Sequence, residues 1–263
     1  MSDAANQKLM TSAWRARNKI YEELFGAYVY TLPKKYSPPG EPEPGFRRLS
    51  EGSDPDSQPG QMIFSSAMTG QRISVLAYGP RIDRPHWTYV TAGLSNPWFQ
   101  EEASDVSGYG CELVVKSATD ARWPIRLLRR LAYYILSYSG TLSPGVILNM
   151  KEPIGATRAA QLNNIFVWYV DEAPDCLYDL PSGAFGLFSV IGITEDECKY
   201  AESVEDYGTF CIQQVLRQNG LGQLTDPARA SVMQQENIDS ILKSVKTYVE
   251  NFRASMPSSD QLN

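Results

Sequence analysis

The sequence predicts an α+β fold, with a central mixed α/β sheet of about six strands flanked by helices. Runs rich in β-branched and aromatic residues recur between residues 73 and 193, each bounded by turn-forming residues. Apolar residues at helical spacing mark stretches before, among and after those runs. Several strands are close enough in sequence for antiparallel hairpins, and no internal repeat is visible, so one main domain is expected.

Residues 5–25 read as the first helix. Met10, Ala13, Trp14, Tyr21 and Leu24 recur on one face, and Gly26 sits where a left-handed cap belongs. Arg17 interrupts this stripe; its stem is expected to lie on the apolar surface while the charge reaches water. Tyr28 to Leu32 is a short extended piece. Residues 33–60, dense in Pro, Gly and Ser, cannot sustain either hydrogen-bond ladder and read as a long surface loop leaning towards mobility.

Strands are expected at ISVLAYG (73–79), WTYVTAG (87–93), GYGCELVV (108–115), GVILNM (145–150), NIFVWYV (164–170) and FGLFSVIGI (185–193). The last two are apolar on both faces and should be covered on both sides. Between the third and fourth strands, Pro124 opens a helix whose stripe is Leu127, Leu128, Leu131 and Ile135, with Gly140 as its stop. Thr194 and Glu197 form a capping-box pair, leading to a further helix over 205–219 with Ile212, Val215 and Leu216 inward and Gly220 as stop. A last helix, roughly 234–253, aligns Ile238, Ile241, Leu242, Val245, Val249 and Phe252. The organisation is thus residues 1–32 packing on the main domain, a loop at 33–60, the main domain at 61–231, and a helix and tail at 232–263.

Hydrophobic content of 43% and charged content of 21% indicate a folded chain, not a disordered one. The net charge of -6 argues against nucleic acid or an anionic membrane as partner, because neutralising phosphates takes clustered Lys and Arg. Arg122, Arg126, Arg129 and Arg130 make a local basic cluster, read as a solvated helix face. The opening MSDAANQKLM shows no basic region before an apolar stretch, so no secretory signal is read. No apolar run reaches the roughly 20 residues of a membrane helix. Cys111, Cys176, Cys198 and Cys211 are scattered, as expected for reduced, mostly buried thiols of a cytoplasmic protein. With one histidine and no C-x-x-C pair, neither a metal site nor a cofactor is expected.

That histidine, His86, opens HWTYVTAGLSNPW (86–98). A Ser–His–Asp or Cys–His arrangement has only this residue to use, and nothing in the sequence positions a partner for it, so it reads as packed and structural. GLSNP lacks the second glycine of a nucleophile elbow, and no phosphate loop occurs. Two acid clusters, Asp171, Glu172, Asp175 and Asp179, and Glu101, Glu102 and Asp105, have the residue types of a carboxylate-dependent hydrolase; the plainer reading is solvated loop acids. Trp98 and Phe99 stand out more. They follow Pro97 outside any strand and precede Glu101 and Glu102. Such a pair either plugs the core from outside or meets a partner, since these rings give large contact area at low entropic cost. Gly108 and Gly110 then permit close backbone approach where the chain enters the third strand.

In order, HWTYVTAGLSNPW, SGYGCELVV, ARWPIRLLRRLAYYILSYSGTLSPG, LPSGAFGLFSVIGITEDECKYAES and VLRQNGLGQLTDPAR resemble the suppressor of fused family, over about residues 73–231. The ordered set carries the likeness: His-Trp before a strand ending in Gly-Leu-Ser, a Leu-rich helix opened by Trp-Pro, and an apolar strand ending in Ile-Thr-Glu-Asp-Glu. The resemblance implies a mixed α/β domain without a catalytic role. In animals such proteins bind and restrain Gli-type transcription factors, gripping the peptide as an added strand between two domains. This chain ends one helix beyond the match, so the second half of that clamp is expected to be missing. The likeness is then to single-domain bacterial members, many of them proposed immunity proteins.

The resemblance further implies partner contacts at Trp98, after Gly-Leu-Ser, and at Asp105, before Ser-Gly-Tyr-Gly, and no chemical duty for His86. With Phe99, Glu101, Glu102 and Tyr109 these make up the expected partner-binding set. The function expected is a cytoplasmic, non-enzymatic protein-binding domain of immunity or antitoxin type, its acidic surface suited to a basic toxin domain. The alternatives are a signalling or scaffold adaptor that takes an extended peptide by strand addition, and the carboxylate hydrolase.

Overall fold

Ala13, Arg17, Tyr21 and Phe25 stand four residues apart and are each 1% exposed, so the first helix, α1 (Asp3–Phe25), buries a single row. The structure is a computed structural model that describes residues 3–27, 62–65, 72–138, 142–155, 160–204 and 207–255. The expected piece at Tyr28–Leu32, the 33–60 loop and Gly140 lie outside the described residues. Gly26 takes the left-handed cap conformation anticipated for it (φ 79°), and its N–H bonds the Glu22 carbonyl at 2.9 Å.

Eight strands occur among the described residues: β1 (Met62–Ser65), β2 (Arg72–Tyr78), β3 (Trp87–Ala92), β4 (Val106–Ser117), β5 (Ile147–Asn149), β6 (Asn164–Tyr169), β7 (Tyr178–Leu180) and β8 (Gly183–Ile193). The helices after α1 are α2 (Trp123–Tyr138), α3 (Glu195–Ser203), α4 (Gly208–Gln218) and α5 (Ile238–Ser255). The chain divides into two units, one made of Met1–Pro144 and Trp168–Val190, the other of Gly145–Val167 and Ile191–Asn263.

In the first unit β1, β2, β3 and β4 pair antiparallel in succession, β8 runs parallel to β4, and β7 joins β8 antiparallel. This is the mixed α+β sheet the sequence predicts. Leu76, Tyr78, Val90, Ala92 and Val114 point to one face and pack with Ala13, Tyr21 and Phe25 of α1. Their neighbours of opposite parity, Val75, Tyr89, Leu113 and Val115, are buried as well, and α2 lies against β2, β3 and β4. The sheet is therefore covered on both faces. The α2 stripe is as expected: Leu127, Leu128, Leu131 and Ile135 are buried, each worth about 1.5–3 kcal/mol of transfer free energy. β1 and β7 were not anticipated. Both are very short, and their strand character comes from the neighbour they pair with.

In the second unit β5 pairs antiparallel with β6. The capping-box expectation at α3 holds: the Thr194 N–H donates to Glu197 Oε2 at 2.9 Å. Glu197, 0% exposed, also receives Arg229 on both oxygens at 2.6 Å and the Val232 N–H at 2.9 Å. The helix expected over 205–219 spans Gly208–Gln218, with Ile212, Val215 and Leu216 buried. On α5, Ile241, Val245 and Val249 are buried, while Phe252 is 38% exposed and stacks 5.8 Å from Phe210.

Candidate functional site

A carboxylate with no solvent contact organises the end of β3. Glu112, on β4, is 0% exposed. Its Oε1 accepts bonds from Gly93 N (2.8 Å), Ser95 N (3.0 Å) and Ser95 Oγ (2.7 Å), and its Oε2 accepts from Thr91 Oγ1 (2.6 Å). Arg17 supplies the countercharge, with Nη1 3.3 Å from Glu112 Oε1 and 2.5 Å from Asn96 Oδ1. The expectation that the Arg17 charge reaches water is thus corrected: the guanidinium is turned inward, because a buried carboxylate waits beneath it. The Gly-Leu-Ser-Asn turn between β3 and β4 is therefore pinned from below by charge-assisted bonds.

Further bonds brace the loop beyond that turn. Gln100 Nε2 donates to Ser104 Oγ, Val106 O and Ser182 O at 2.9, 3.1 and 3.0 Å, and Gln100 Oε1 accepts the Gly108 N–H at 2.8 Å. Ser107 Oγ donates to Ser95 O at 2.6 Å, and Asn6 Nδ2 of α1 donates to Gln100 O at 2.7 Å. β4 is bulged here, its register with β8 shifting between Val106 and Cys111. Gly108 has φ 58°, and a Cβ there would lie 2.3 Å from the Asn96 carbonyl oxygen. The close approach expected at this glycine is real.

On this frame the six anticipated residues share one loop and the bulge that follows it. Phe99 is 76% exposed, and Val106, not anticipated, is 50% exposed. Glu101, Glu102 and Asp105 are exposed, and Tyr109 is half-buried with its N–H on Leu94 O at 2.8 Å. Trp98 and Phe99 differ in placement. Trp98 is half-buried and its indole N–H donates to Gly93 O at 2.7 Å, so it braces the turn, while Phe99 stands in solvent.

His86 lies elsewhere in the first unit. Its Nε2 is 3.2 Å from Glu172 Oε1, and Lys116, 3% exposed, donates to Glu172 Oε2. Burial pushes the Glu172 carboxyl up, but the His86 contact and the charge and hydrogen bond of Lys116 outweigh it and hold it at about 2. Glu172 is therefore not the solvated loop acid it resembles in sequence. Asp171, Asp175 and Asp179 are exposed. Arg84, 3% exposed, donates to His86 O, Thr88 Oγ1 and Gly79 O at 2.8, 2.6 and 2.8 Å, and to Phe25 O at the end of α1 at 3.3 Å. Among the described residues no group of three or more His, Cys, Asp or Glu is placed to hold a metal ion, and no helix is long and apolar enough to cross a membrane.

Sequence reasoning sends the Arg17 charge the wrong way, and four residues it misses outright are Glu112, Gln100, Ser107 and Ser182. Glu112 alone left a trace, as a single charge inside the apolar run CELVV.

Comparison with known proteins follows the same lines. A search of curated proteins finds no match. Among solved structures, Drosophila Suppressor of Fused is similar at 20% identity and a TM-score of 0.58, over 74% of this chain and 51% of that one. This chain thus spans about half the length of the Drosophila protein. A chain of the Sufu-Fu complex crystal structure is similar at 18% identity and TM-score 0.58, over 90% of this chain and 96% of that one. A SUFU homologue from Neisseria gonorrhoeae FA 1090 aligns at 18% identity and TM-score 0.46, over 62% of this chain and 79% of that one. The model of the Suppressor of fused protein (SUFU) family matches residues 69–230, the stretch that contains the Glu112-centred turn, α2 and the Glu197 cap. The chain belongs to the suppressor of fused family.

Proposed function

We propose that this chain is a cytoplasmic, non-enzymatic protein-binding domain of immunity type, which neutralises a basic toxin domain through the loop after β3. One observation carries the reading: Phe99 is 76% exposed and Val106 50%, on a loop braced by hydrogen bonds from Trp98, Gln100 and Ser107 and flanked by Glu101, Glu102 and Asp105. An exposed ring on a rigid support loses little entropy when it docks, and the acids steer a basic surface towards it. Family membership supports protein binding, one similar chain having been solved within the Sufu-Fu complex.

A second reading, strand addition to an extended peptide, is favoured by the end of the described strand order, where β1 has no outer neighbour among the described residues. The carboxylate hydrolase fares worse. Of its candidate acids, Glu172 is tied up by His86 and Lys116, which hold its carboxyl low, whereas a general acid needs its carboxyl raised.

Affinity purification from the native cell, with wild type, Phe99→Ala and Glu101→Lys/Glu102→Lys baits, tests the proposal. Recovery of one folded basic domain, lost with either variant, is the expected result. A disordered segment retained by both variants would favour the adaptor instead, and a genomic neighbourhood of metabolic enzymes without a secreted toxin would remove the immunity assignment.

A further inference from the structure

We infer that the outward face of α2 is a second docking surface, and that its occupant is an acidic, tyrosine-bearing segment of a protein partner. The helix carries Arg126, Arg129 and Arg130, with Arg122 just before its first residue, and no Asp or Glu across its 16 residues, in a chain whose net charge is -6. Arg126, Arg130, Tyr134 and Tyr138 recur every fourth residue and so form one row, roughly 18 Å long at 1.5 Å per residue. Arg126 and Arg130 are exposed. Within the row Tyr134 is 38% and Tyr138 70% exposed, and Tyr133, next to it, is 38% exposed. The Tyr134 and Tyr138 rings lie 5.7 Å apart and make a continuous ledge. Arg and Tyr together are the residues that dominate binding surfaces, through forked hydrogen bonds and flat contact area.

The ledge is also rigid. Its reverse side is Leu127, Leu128, Leu131 and Ile135, buried against the sheet, so docking requires no ordering of the helix backbone. Charge decides between a peptide and a nucleic acid. Fields are screened over about 8 Å at physiological ionic strength, so a short acidic segment lying on the row senses chiefly the arginines. A longer polyanion would run on over a protein that is negative overall. The surface belongs to the face of the sheet opposite α1, whereas the Phe99 loop is tied to α1 through Asn6 and Arg17, so the two surfaces can be tested independently.

The experiment is fluorescence anisotropy on the full chain with a fluorescein-labelled peptide of repeated Glu-Glu-Tyr. Its Lys-Lys-Tyr counterpart and labelled oligothymidine are run in parallel. Binding of the acidic peptide that weakens with added salt is expected, with no binding of the basic one. Arg126→Glu/Arg130→Glu should weaken it about tenfold or more, since two exposed ion pairs become repulsions. Tyr138→Ala should weaken it about threefold or more, and Phe99→Ala should leave it unchanged. Circular dichroism melting checks that the variants fold, and Arg126→Gln/Arg130→Gln replaces the reversal if that variant does not. Absence of acidic-peptide binding, affinity indifferent to the α2 variants, or tighter Arg-dependent binding of oligothymidine would each overturn the inference.

Discussion

Replacing Arg17 with Met removes a charge from the centre of the first unit while keeping most of the stem. Arg17 Nη1 reaches Asn96 Oδ1 at 2.5 Å, Glu112 Oε1 at 3.3 Å and Ser95 Oγ at 3.4 Å, all buried. Leaving one member of a buried pair without its partner costs about 3–5 kcal/mol. Glu112 keeps four other donors, from Thr91, Gly93 and Ser95, which places the cost at the lower end, about 3 kcal/mol, or roughly 6–12 °C in Tm for a chain of this size. Urea denaturation followed by tryptophan fluorescence measures it. Glu112→Gln should cost a similar amount, because it strands the Arg17 guanidinium instead. The double variant Arg17→Met/Glu112→Gln should lose clearly less than the sum of the two, by about 1 kcal/mol or more. A single-variant loss within about 0.5 kcal/mol, or strict additivity, would refute the coupling of α1 to the turn.

Other perturbations separate the loop's surface from its support. Phe99→Ala is expected to leave urea stability within about 0.5 kcal/mol while partner affinity drops about tenfold or more; Trp98→Ala, which also loses the bond to Gly93 O, should show a stability loss of about 1–2 kcal/mol. Gly108→Ala forces a Cβ against the Asn96 carbonyl at a positive φ and should cost about 2 kcal/mol or more, with amide exchange accelerated across 93–110. Glu172 has its carboxyl lowered from 4.5 to about 2, so its contribution is complete above the unfolded value and is lost as pH falls towards 2. That contribution is roughly 3 kcal/mol, and Glu172→Gln should flatten the stability profile between about pH 5 and 2 in chemical denaturation. In the second unit, Glu197→Gln weakens the Arg229 pair and should cost about 2–3 kcal/mol, read as faster hydrogen exchange at the start of α3 and around Val232.

What the sequence discloses is what its near neighbours determine. Gly26, the α2 stripe and the Thr194–Glu197 box involve residues within a turn or two of one another, and each is where local chemistry puts it. The strand character of β2, β3, β4 and β8 is equally plain from composition. Arg17 is different. Its fate is set by Glu112, 95 positions away, and taken alone an arginine on a helix face is expected to reach water. The same applies to the loop. Trp98, Phe99 and the acids are conspicuous beside Pro97, yet the bond from Gln100 to Ser182 spans 82 positions and leaves no local signature. Glu172 looked like one solvated acid among several because Lys116 and His86 reach it only through the folded sheet.

The Glu112 carboxylate bears on any attempt to redirect the domain to a new target. Because one side chain serves as acceptor for the helix, the strand end and the turn, Thr91, Ser95, Asn96 and Arg17 behave as a fixed chassis that a randomised library should leave alone. Phe99, Glu101, Glu102 and Asp105 project outward from it and are the positions where diversity costs the scaffold little. Transplanting the loop to another framework without the N-terminal helix would carry the contacts and leave behind what keeps them in place.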